Sequence, residues 1–321
     1  MKRKYLILIP IIILFIISII YLPNNLKIKQ SIWIFLSLII LLIISNINIK
    51  KLMKYSIIYY IICLILLALI LLLNKSTNGS RAWIEIGSIS IQPSEFMKIS
   101  LILLSIRYYK KINIYLFFII YLIPIILIFL EPDTGGIISL LIIFIYFFIK
   151  KLDKKQLFKI FILLSILFIC ICLFIYNNQD AFVKIIGPSI FYRIDRIINF
   201  IRDDNIQTTN ALISIATGNT LYFPEMFNDF FIAYILSKNI YLIILIILST
   251  ILLLFMLKKK NTLVSQVAFY LVLWQCYYNL AMNLKLVPVI GIPYLFLSYG
   301  GSHIISSMIL IALVINSKDK S

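Results

Sequence analysis

Gln92, Glu95 and Lys98 recur at intervals of three residues, and their types and spacing could support chemistry. On a helix this spacing places them on one face, where a carboxylate and an ammonium can pair. A purely structural role also fits, because Pro93 favours a helix start and an acid in the first turn favours the helix dipole. Ionisable groups are costly in an apolar environment and by default mark a functional cavity, so we expect this face to line one.

Asp229 is a second candidate, because it follows a proline, an acid and an asparagine and opens an apolar segment. It could cap a helix, or act as a general base within a shielded cavity. Spacing alone favours the cap. Arg193 and Arg196, three residues apart on an amphipathic stretch, fit two roles equally well. They could be interfacial snorkelling arginines, or a binding surface for phosphate or pyrophosphate.

Two glycine- and proline-bearing segments complete the candidates. In EPDTGG (131–136), Glu131 and Asp133 could cap the next helix, or line a cavity or metal site; the structural role is favoured. NLKLVPVIGIPYLFLSYGGS (283–302) has the composition of an ordered, re-entrant backbone segment. His303 is the only histidine. Without a GxSxG elbow or a Walker A motif, the sequence supports neither a serine hydrolase nor a nucleotide-driven pump.

The elements that must position these residues are membrane helices. The chain of 321 residues is 63% hydrophobic and 13% charged, far from the composition of a soluble domain. Its apolar runs approach the length that a helix needs to cross a bilayer. We therefore predict an all-α membrane protein with about ten transmembrane helices and long extracytoplasmic loops. The predicted spans are about 5–22, 30–47, 55–73, 94–107, 113–130, 134–149, 159–176, 240–257, 263–284 and 301–316.

The net charge of +18 follows the membrane topology and does not indicate nucleic acid. Lys and Arg cluster in alternate loops, as expected for cytoplasmic segments, so both termini are predicted to be cytoplasmic. Residues 1–321 form a single polytopic domain with a large extracytoplasmic loop at about 177–239. Most glycines, prolines and acids fall on the external side, which places the expected function at the outer surface. The four cysteines lie in apolar runs and suggest packing.

Five segments, in their order along the chain, resemble the SEDS family (shape, elongation, division and sporulation), the RodA, FtsW and SpoVE type of membrane glycosyltransferase. RAWIEIG and QPSEFMK are similar to its RWI…QPSE-F-K signature, and EPDTGG resembles its QPD-G turn. Tyr192, Arg193, Arg196 and Phe200 fit a Tyr-Arg-x-x-Arg-x-x-x-Phe pattern. FPEMFNDFFIA resembles the PE-x-HTDFIF segment, and MNLKLVPVIGIPYLFLSYGGS resembles the closing MN-G-LP-TGIP-PF-SYGGS.

The resemblance implies an inverting peptidoglycan glycosyltransferase that polymerises lipid II at the outer face of the bacterial cytoplasmic membrane, in elongation, division or sporulation. Asp229 matches the family's essential aspartate and would be the general base. The implied substrate-binding residues are Trp83, Glu95, Lys98, Arg81, Arg193 and Arg196. No cofactor is certain, although a divalent cation (Mg²⁺ or Mn²⁺) could assist at unknown ligands. The implied partners are lipid II (undecaprenyl-pyrophosphate-linked disaccharide peptide), a class B penicillin-binding protein and membrane lipids, with no nucleic acid.

Two alternatives stay open. A flippase or transporter for lipid-linked precursors would suit ten helices around an ionisable cavity, but the inverted repeats and broken helices usual in transporters are not evident. A non-catalytic scaffold for a penicillin-binding protein is favoured by departures from the family pattern. The segment 217–223 is shorter than its family counterpart, and Met226, Phe227 and Asn228 replace the usual Ala-His-Thr before Asp229.

Overall fold

The computed structural model describes residues 2–73, 82–87, 89–153, 155–156, 205–222 and 225–317. Its helices and strands, after a short 3₁₀ turn at Lys2–Tyr5, are α1 (Leu8–Tyr21), α2 (Asn24–Asn46), α3 (Ile49–Lys54), α4 (Ser56–Leu73), β1 (Ile84–Ile86), β2 (Ile89–Ile91), α5 (Pro93–Tyr108), α6 (Ile114–Leu130), α7 (Thr134–Lys151), α8 (Ile206–Thr217), α9 (Phe231–Lys238), α10 (Leu242–Lys260), α11 (Leu263–Asn283) and α12 (Gly301–Asn316).

The predicted all-α membrane fold is confirmed. A helix occurs at each predicted span that falls within the described residues, while the span at about 159–176 lies outside them. In this part of the chain, α2, α7 and α10 are long and apolar enough to cross a bilayer. The predicted large loop at about 177–239 contains α8 and α9, and its residues 177–204 are not described.

A small antiparallel hairpin, formed by β1 and β2, was not expected from the sequence. Its register pairs Ile84 with Ile91 and Ile86 with Ile89. Gly87 has a φ of +62°, a left-handed conformation that favours glycine and suits a tight hairpin turn. The hairpin leads directly into α5 and therefore helps to fix where that helix begins.

Helix α5 lies in the interior of the described structure. Met97, Leu101 and Ile102 are fully buried, and α5 packs against α4, α7 and α12. Polar side chains along α5 are buried with them: Ser94, Glu95, Lys98, Ser100 and Ser105. A membrane helix that carries buried charges must direct them toward protein, since lipid offers no partner for them.

Basic residues at the predicted cytoplasmic side bind the carbonyl ends of neighbouring helices. Arg107 Nη1 donates to Met53 O at 2.7 Å. Lys151 Nζ donates to Tyr109 O at 2.7 Å, and Lys260 Nζ donates to Ile315 O at 2.9 Å. Cations stabilise the negative end of a helix and satisfy its terminal carbonyls. These clusters therefore tie helices together in addition to anchoring the chain at the membrane surface.

Residues 284–300, between α11 and α12, form no regular helix or strand. Much of the segment is nonetheless buried, including Tyr294 and Phe296. Gln30 Nε2 of α2 donates to Ser298 O at 3.2 Å, which supplies one of the partners that buried irregular backbone needs. This agrees with the expectation of ordered backbone, while its re-entry into the membrane stays a prediction.

Candidate functional site

Glu95 and Lys98 form a buried ion pair on the first turns of α5. Lys98 Nζ donates to Glu95 Oε1 at 2.8 Å, and the two residues are only 6% and 7% exposed, respectively. Pro93 at the first helical position sets the start of α5 and thereby the face that both side chains share. Both residues therefore point into the protein, as the sequence predicted.

Helix α12 supplies the other side of this pair. Ser306 Oγ donates to Glu95 Oε2 at 2.5 Å, and His303 Nδ1 lies 3.4 Å from the same oxygen. His303 and Ser306 are both buried. A carboxylate thus has an ammonium at one oxygen, and a hydroxyl and an imidazole at the other. From the sequence, His303 stood out only as the single histidine and Ser306 was not a candidate; their three-residue spacing directly after SYGGS was the available signal.

A small cavity of about 20 Å³ adjoins Lys98. Its polar lining comes from Lys98, Gln275, Ser306 and Ser307, on α5, α11 and α12. A cavity of this size accommodates a single water molecule, provided that polar partners surround it. The rest of the lining is apolar, so the buried charges lie beside a small, largely apolar cavity at the junction of three helices.

Asp133 connects the start of α5 with the start of α7. Its Oδ1 accepts a hydrogen bond from Gly136 N at 2.8 Å, as an N-cap does. Its Oδ2 accepts from Gln92 Nε2 at 2.9 Å and from Ser94 Oγ at 2.7 Å. The favoured structural role of Asp133 is therefore confirmed, and its carboxylate is occupied by three donors.

Asp229 is held in the turn before α9 through its backbone. Its carbonyl accepts hydrogen bonds from Asn279 Nδ2 at 2.7 Å and from Asn283 Nδ2 at 3.0 Å. The N-cap position of α9 is Phe230, so Asp229 lies one residue before it. Asn279 and Asn283 were also absent from the sequence candidates, although their four-residue spacing on an apolar helix was a usable signal.

The irregular 284–300 segment passes between Asp229 and the start of α7. A Cβ placed on Gly291 would lie 3.5 Å from Asp229 Oδ2, and Gly291 has a left-handed φ of +68°. A Cβ placed on Gly135 would lie 3.0 Å from Gly291 O. Two close approaches at glycines therefore connect the turn that contains Asp133 with the carboxylate of Asp229.

The structure shows fewer contacts, or none, for the remaining predicted site residues. Trp83 lies just before β1 and is partly buried, and no hydrogen bond of the described structure joins it to Glu95 or Lys98. Arg81, Arg193 and Arg196 lie outside the described residues.

The divalent cation that the family resemblance allows stays a prediction. No group of three or more His, Cys, Asp and Glu side chains comes together among the residues that the structure describes. Asp133, the best-placed acid of the EPDTGG turn, already accepts three hydrogen bonds. We therefore assign no step to a metal ion.

Comparison with known sequences gives the family. The chain matches the FtsW/RodA/SpoVE family of cell cycle proteins over residues 4–321. The protein belongs to the SEDS family. Among relatives, "Probable peptidoglycan glycosyltransferase FtsW" of Wigglesworthia glossinidia brevipalpis is 28% identical, covering 90% of this chain and 82% of the relative. Peptidoglycan glycosyltransferase MrdB of Helicobacter pylori is 27% identical, covering 96% and 87%.

Solved structures share the SEDS fold with this chain. A chain from a study of "polymerization and crosslinking by a peptidoglycan synthase complex" superposes with a TM-score of 0.80 at 21% identity, covering 97% of this chain and 96% of that one. The rod-shape-determining protein RodA of Thermus thermophilus superposes with a TM-score of 0.66 at 20% identity, covering 97% and 95%. At these identities the likeness establishes the fold.

Proposed function

We propose that this SEDS protein is an inverting peptidoglycan glycosyltransferase that polymerises lipid II, with Asp229 as the general base. Two relatives that carry glycosyltransferase names and cover most of the chain support this activity. The observation that carries the proposal is the fixation of Asp229: two asparagine amides bind its carbonyl, while Gly291 adjoins its carboxylate. A general base needs such positioning, because proton transfer depends on geometry before it depends on pKa.

The proposed reaction joins two lipid-linked disaccharides. The 4-hydroxyl oxygen of the acceptor GlcNAc attacks the anomeric carbon of the donor MurNAc and forms the new C–O bond. The bond from that carbon to the pyrophosphate oxygen breaks, undecaprenyl pyrophosphate leaves with the electron pair, and the configuration inverts. Asp229 accepts the proton of the attacking hydroxyl. A positioned base of this kind typically contributes about 10²–10⁴-fold to a rate.

In this proposal the cationic residues bind the substrate. Lys98, held by Glu95, lines the small cavity at the junction of α5, α11 and α12. Trp83 stays a proposed lining residue of the substrate cavity. Arg81, Arg193 and Arg196 stay proposed ligands of the pyrophosphate, for which guanidinium groups offer a planar fork of donors. Cations positioned where the leaving group gains charge would stabilise the transition state.

We place the reaction at the outer face of the bacterial cytoplasmic membrane, with both termini cytoplasmic and a class B penicillin-binding protein as partner. Basic clusters in alternate loops support this orientation. The partner is supported by the 0.80 TM-score match to a chain from a study of a peptidoglycan synthase complex. In such a pair, the partner's transpeptidase would crosslink the strands made here.

The deciding experiment incubates purified protein, with and without a class B penicillin-binding protein, with labelled lipid II and separates the glycan strands on a gel. We expect polymer from the unmodified protein and from Asp153→Asn, whose acid is exposed in a predicted cytoplasmic loop. Asp229→Asn should make none while still binding lipid II. If Asp229→Asn makes as much polymer as the unmodified protein, Asp229 is not the general base. If no preparation polymerises lipid II, liposome assays of lipid transfer would test the flippase alternative.

A further inference from the structure

His303 lies in the first turn of α12 with a buried imidazole. It is 3% exposed, and neither ring nitrogen has a hydrogen-bond partner among the described residues. Its Nδ1 lies 3.4 Å from Glu95 Oε2, close enough for an ion pair but without hydrogen-bond geometry. A buried polar group without a partner is destabilising, so its presence here calls for a physical reason.

The reason that we infer is the contact between the His303 imidazole and the Glu95 carboxylate. Oε1 of this carboxylate binds Lys98 at 2.8 Å, whereas Oε2 faces α12, where Ser306 donates at 2.5 Å. Any displacement of the carboxylate along this axis also displaces the ammonium that it holds. Hydrogen bonds in unliganded active sites are often long or poorly aligned, and tighten when substrate binds. The 3.4 Å approach of His303 is a contact of this kind.

We propose that His303 is a positioning residue, which orients Glu95 and through it the Lys98 ammonium toward substrate. This rests on the proposed function, because it assumes that Lys98 contacts lipid II. His303 itself does not contact substrate in this scheme. The contact with Glu95 closes to a hydrogen bond from the imidazole N–H to Oε2 when substrate binds at Lys98.

The residues around His303 leave Glu95 as the acid that its imidazole can bind. Helices α2, α5 and α11 and strand β2 all pack against α12. Among the described residues, Glu95 is the one acid within ion-pair distance of the imidazole, and Lys98 lies on the far side of that carboxylate. A change in the charge of Glu95 should therefore alter the chemical shifts of the imidazole nitrogens.

The first test uses the fact that His303 is the only histidine of the chain. Protein labelled with ¹⁵N in histidine rings gives a single set of imidazole signals by nuclear magnetic resonance. We expect Glu95→Gln to change the Nδ1 shift of His303, while Asp153→Asn, which changes an exposed acid on the predicted cytoplasmic side, leaves it unaltered. Adding lipid II to unmodified protein should move Nδ1 toward its hydrogen-bonded shift.

The second test is kinetic. His303→Leu should raise KM about 10- to 100-fold with a smaller effect on kcat, in line with the loss of a hydrogen bond to a charged group. His303→Gln should recover most of the loss, because its amide N–H can donate to Glu95. Ser249→Ala is the control for a buried polar change, since the Ser249 hydroxyl has no hydrogen-bond partner in the described structure.

The outcomes separate this inference from the proposed function. Polymer formed by unmodified protein, with His303 signals unaffected by both Glu95→Gln and lipid II, overturns the positioning role and leaves the glycosyltransferase intact. Equal losses in His303→Leu and His303→Gln also overturn it, because a packing role would not distinguish them. Absence of polymer from every preparation, together with a lipid II response at His303, would instead count against the proposed reaction and support the inference. If His303→Leu fails to fold, the resonance measurements on unmodified protein still decide.

Discussion

Asn283 holds the Asp229 segment at two points. Its Nδ2 donates to the Asp229 carbonyl at 3.0 Å, and its Oδ1 accepts from Ala233 N at 2.9 Å. One amide side chain thus supplies an acceptor and a donor to backbone groups on either side of the start of α9. Asn283 is fully buried, so these groups have no access to bulk water.

Asn283→Ala should therefore lower both stability and activity. The substitution leaves a buried N–H without its acceptor and the Asp229 carbonyl with one donor fewer, at about 1–3 kcal/mol for an unsatisfied group. Misplacing Asp229 should reduce glycan synthesis by about tenfold or more. Thermal unfolding in detergent and the polymerisation assay measure the two effects. Asn46→Ala, on an exposed asparagine at the end of α2, should change neither; equal behaviour of the two variants would contradict the assignment.

Gly135→Ala tests the contact between α7 and the 284–300 segment. Its Cβ would approach Ile292 Cγ1 to 2.9 Å and Gly291 O to 3.0 Å, and a backbone oxygen can yield only if the segment moves. Because Gly291 adjoins the Asp229 carboxylate, we expect a loss of polymerisation of about tenfold.

Gly87→Ala is the matched control for this substitution. A Cβ there meets nothing within 4 Å, although the left-handed φ of +62° strains an alanine by about 1–2 kcal/mol. We expect its activity to be retained. A Gly135→Ala variant as active as Gly87→Ala would show that the α7 contact does not control Asp229.

The sequence predicted those features that depend on local periodicity. Apolar runs located the described spans, because their length is set by the bilayer. The spacing of Glu95 and Lys98 predicted a shared helix face, and the structure pairs them at 2.8 Å. Both predictions need only the geometry of a single helix.

The contacts that complete the site join residues far apart in the chain, which spacing cannot reveal. Asn283 reaches Asp229 across 54 residues, and Ser306 reaches Glu95 across 211. Helical periodicity shows which face carries an amide or a hydroxyl, but not which helix lies opposite. Spacing therefore favoured a cap for Asp229, whereas the tertiary structure uses its carbonyl as an anchor.

The orientation of the chain can be tested with single cysteines, in a background whose four native cysteines are replaced by alanine. Asn219 and Asp153 are both exposed, at ends that the charge pattern predicts to be external and cytoplasmic, respectively. Asn219→Cys should react with an impermeant thiol reagent in intact cells, and Asp153→Cys only after permeabilisation. The reverse labelling pattern would show that the predicted topology is inverted, and it would contradict a reaction at the outer face.

Glu131 should make stability depend on pH. It lies in the turn between α6 and α7, fully buried and without a hydrogen-bond partner in the described structure. Burial, with a smaller contribution from the charge of Asp133, raises the pKa of Glu131 from 4.5 to about 8. Between these values the folded chain keeps a proton that the unfolded chain releases, so stability falls as pH rises through this window and then levels off.

Glu131→Gln removes this titration while keeping the size of the side chain. Relative to the unmodified protein, we expect little change at pH 4, a gain that grows with pH to the order of 3 kcal/mol at pH 7, and a plateau above about pH 8. Unfolding temperatures in detergent between pH 4 and pH 9 provide the measurement. Glu85→Gln, on an exposed acid of β1, is the matched control and should show no such trend. A gain independent of pH would mean that Glu131 acts through packing, because only ionisation ties the gain to the interval between its unfolded and folded pKa values.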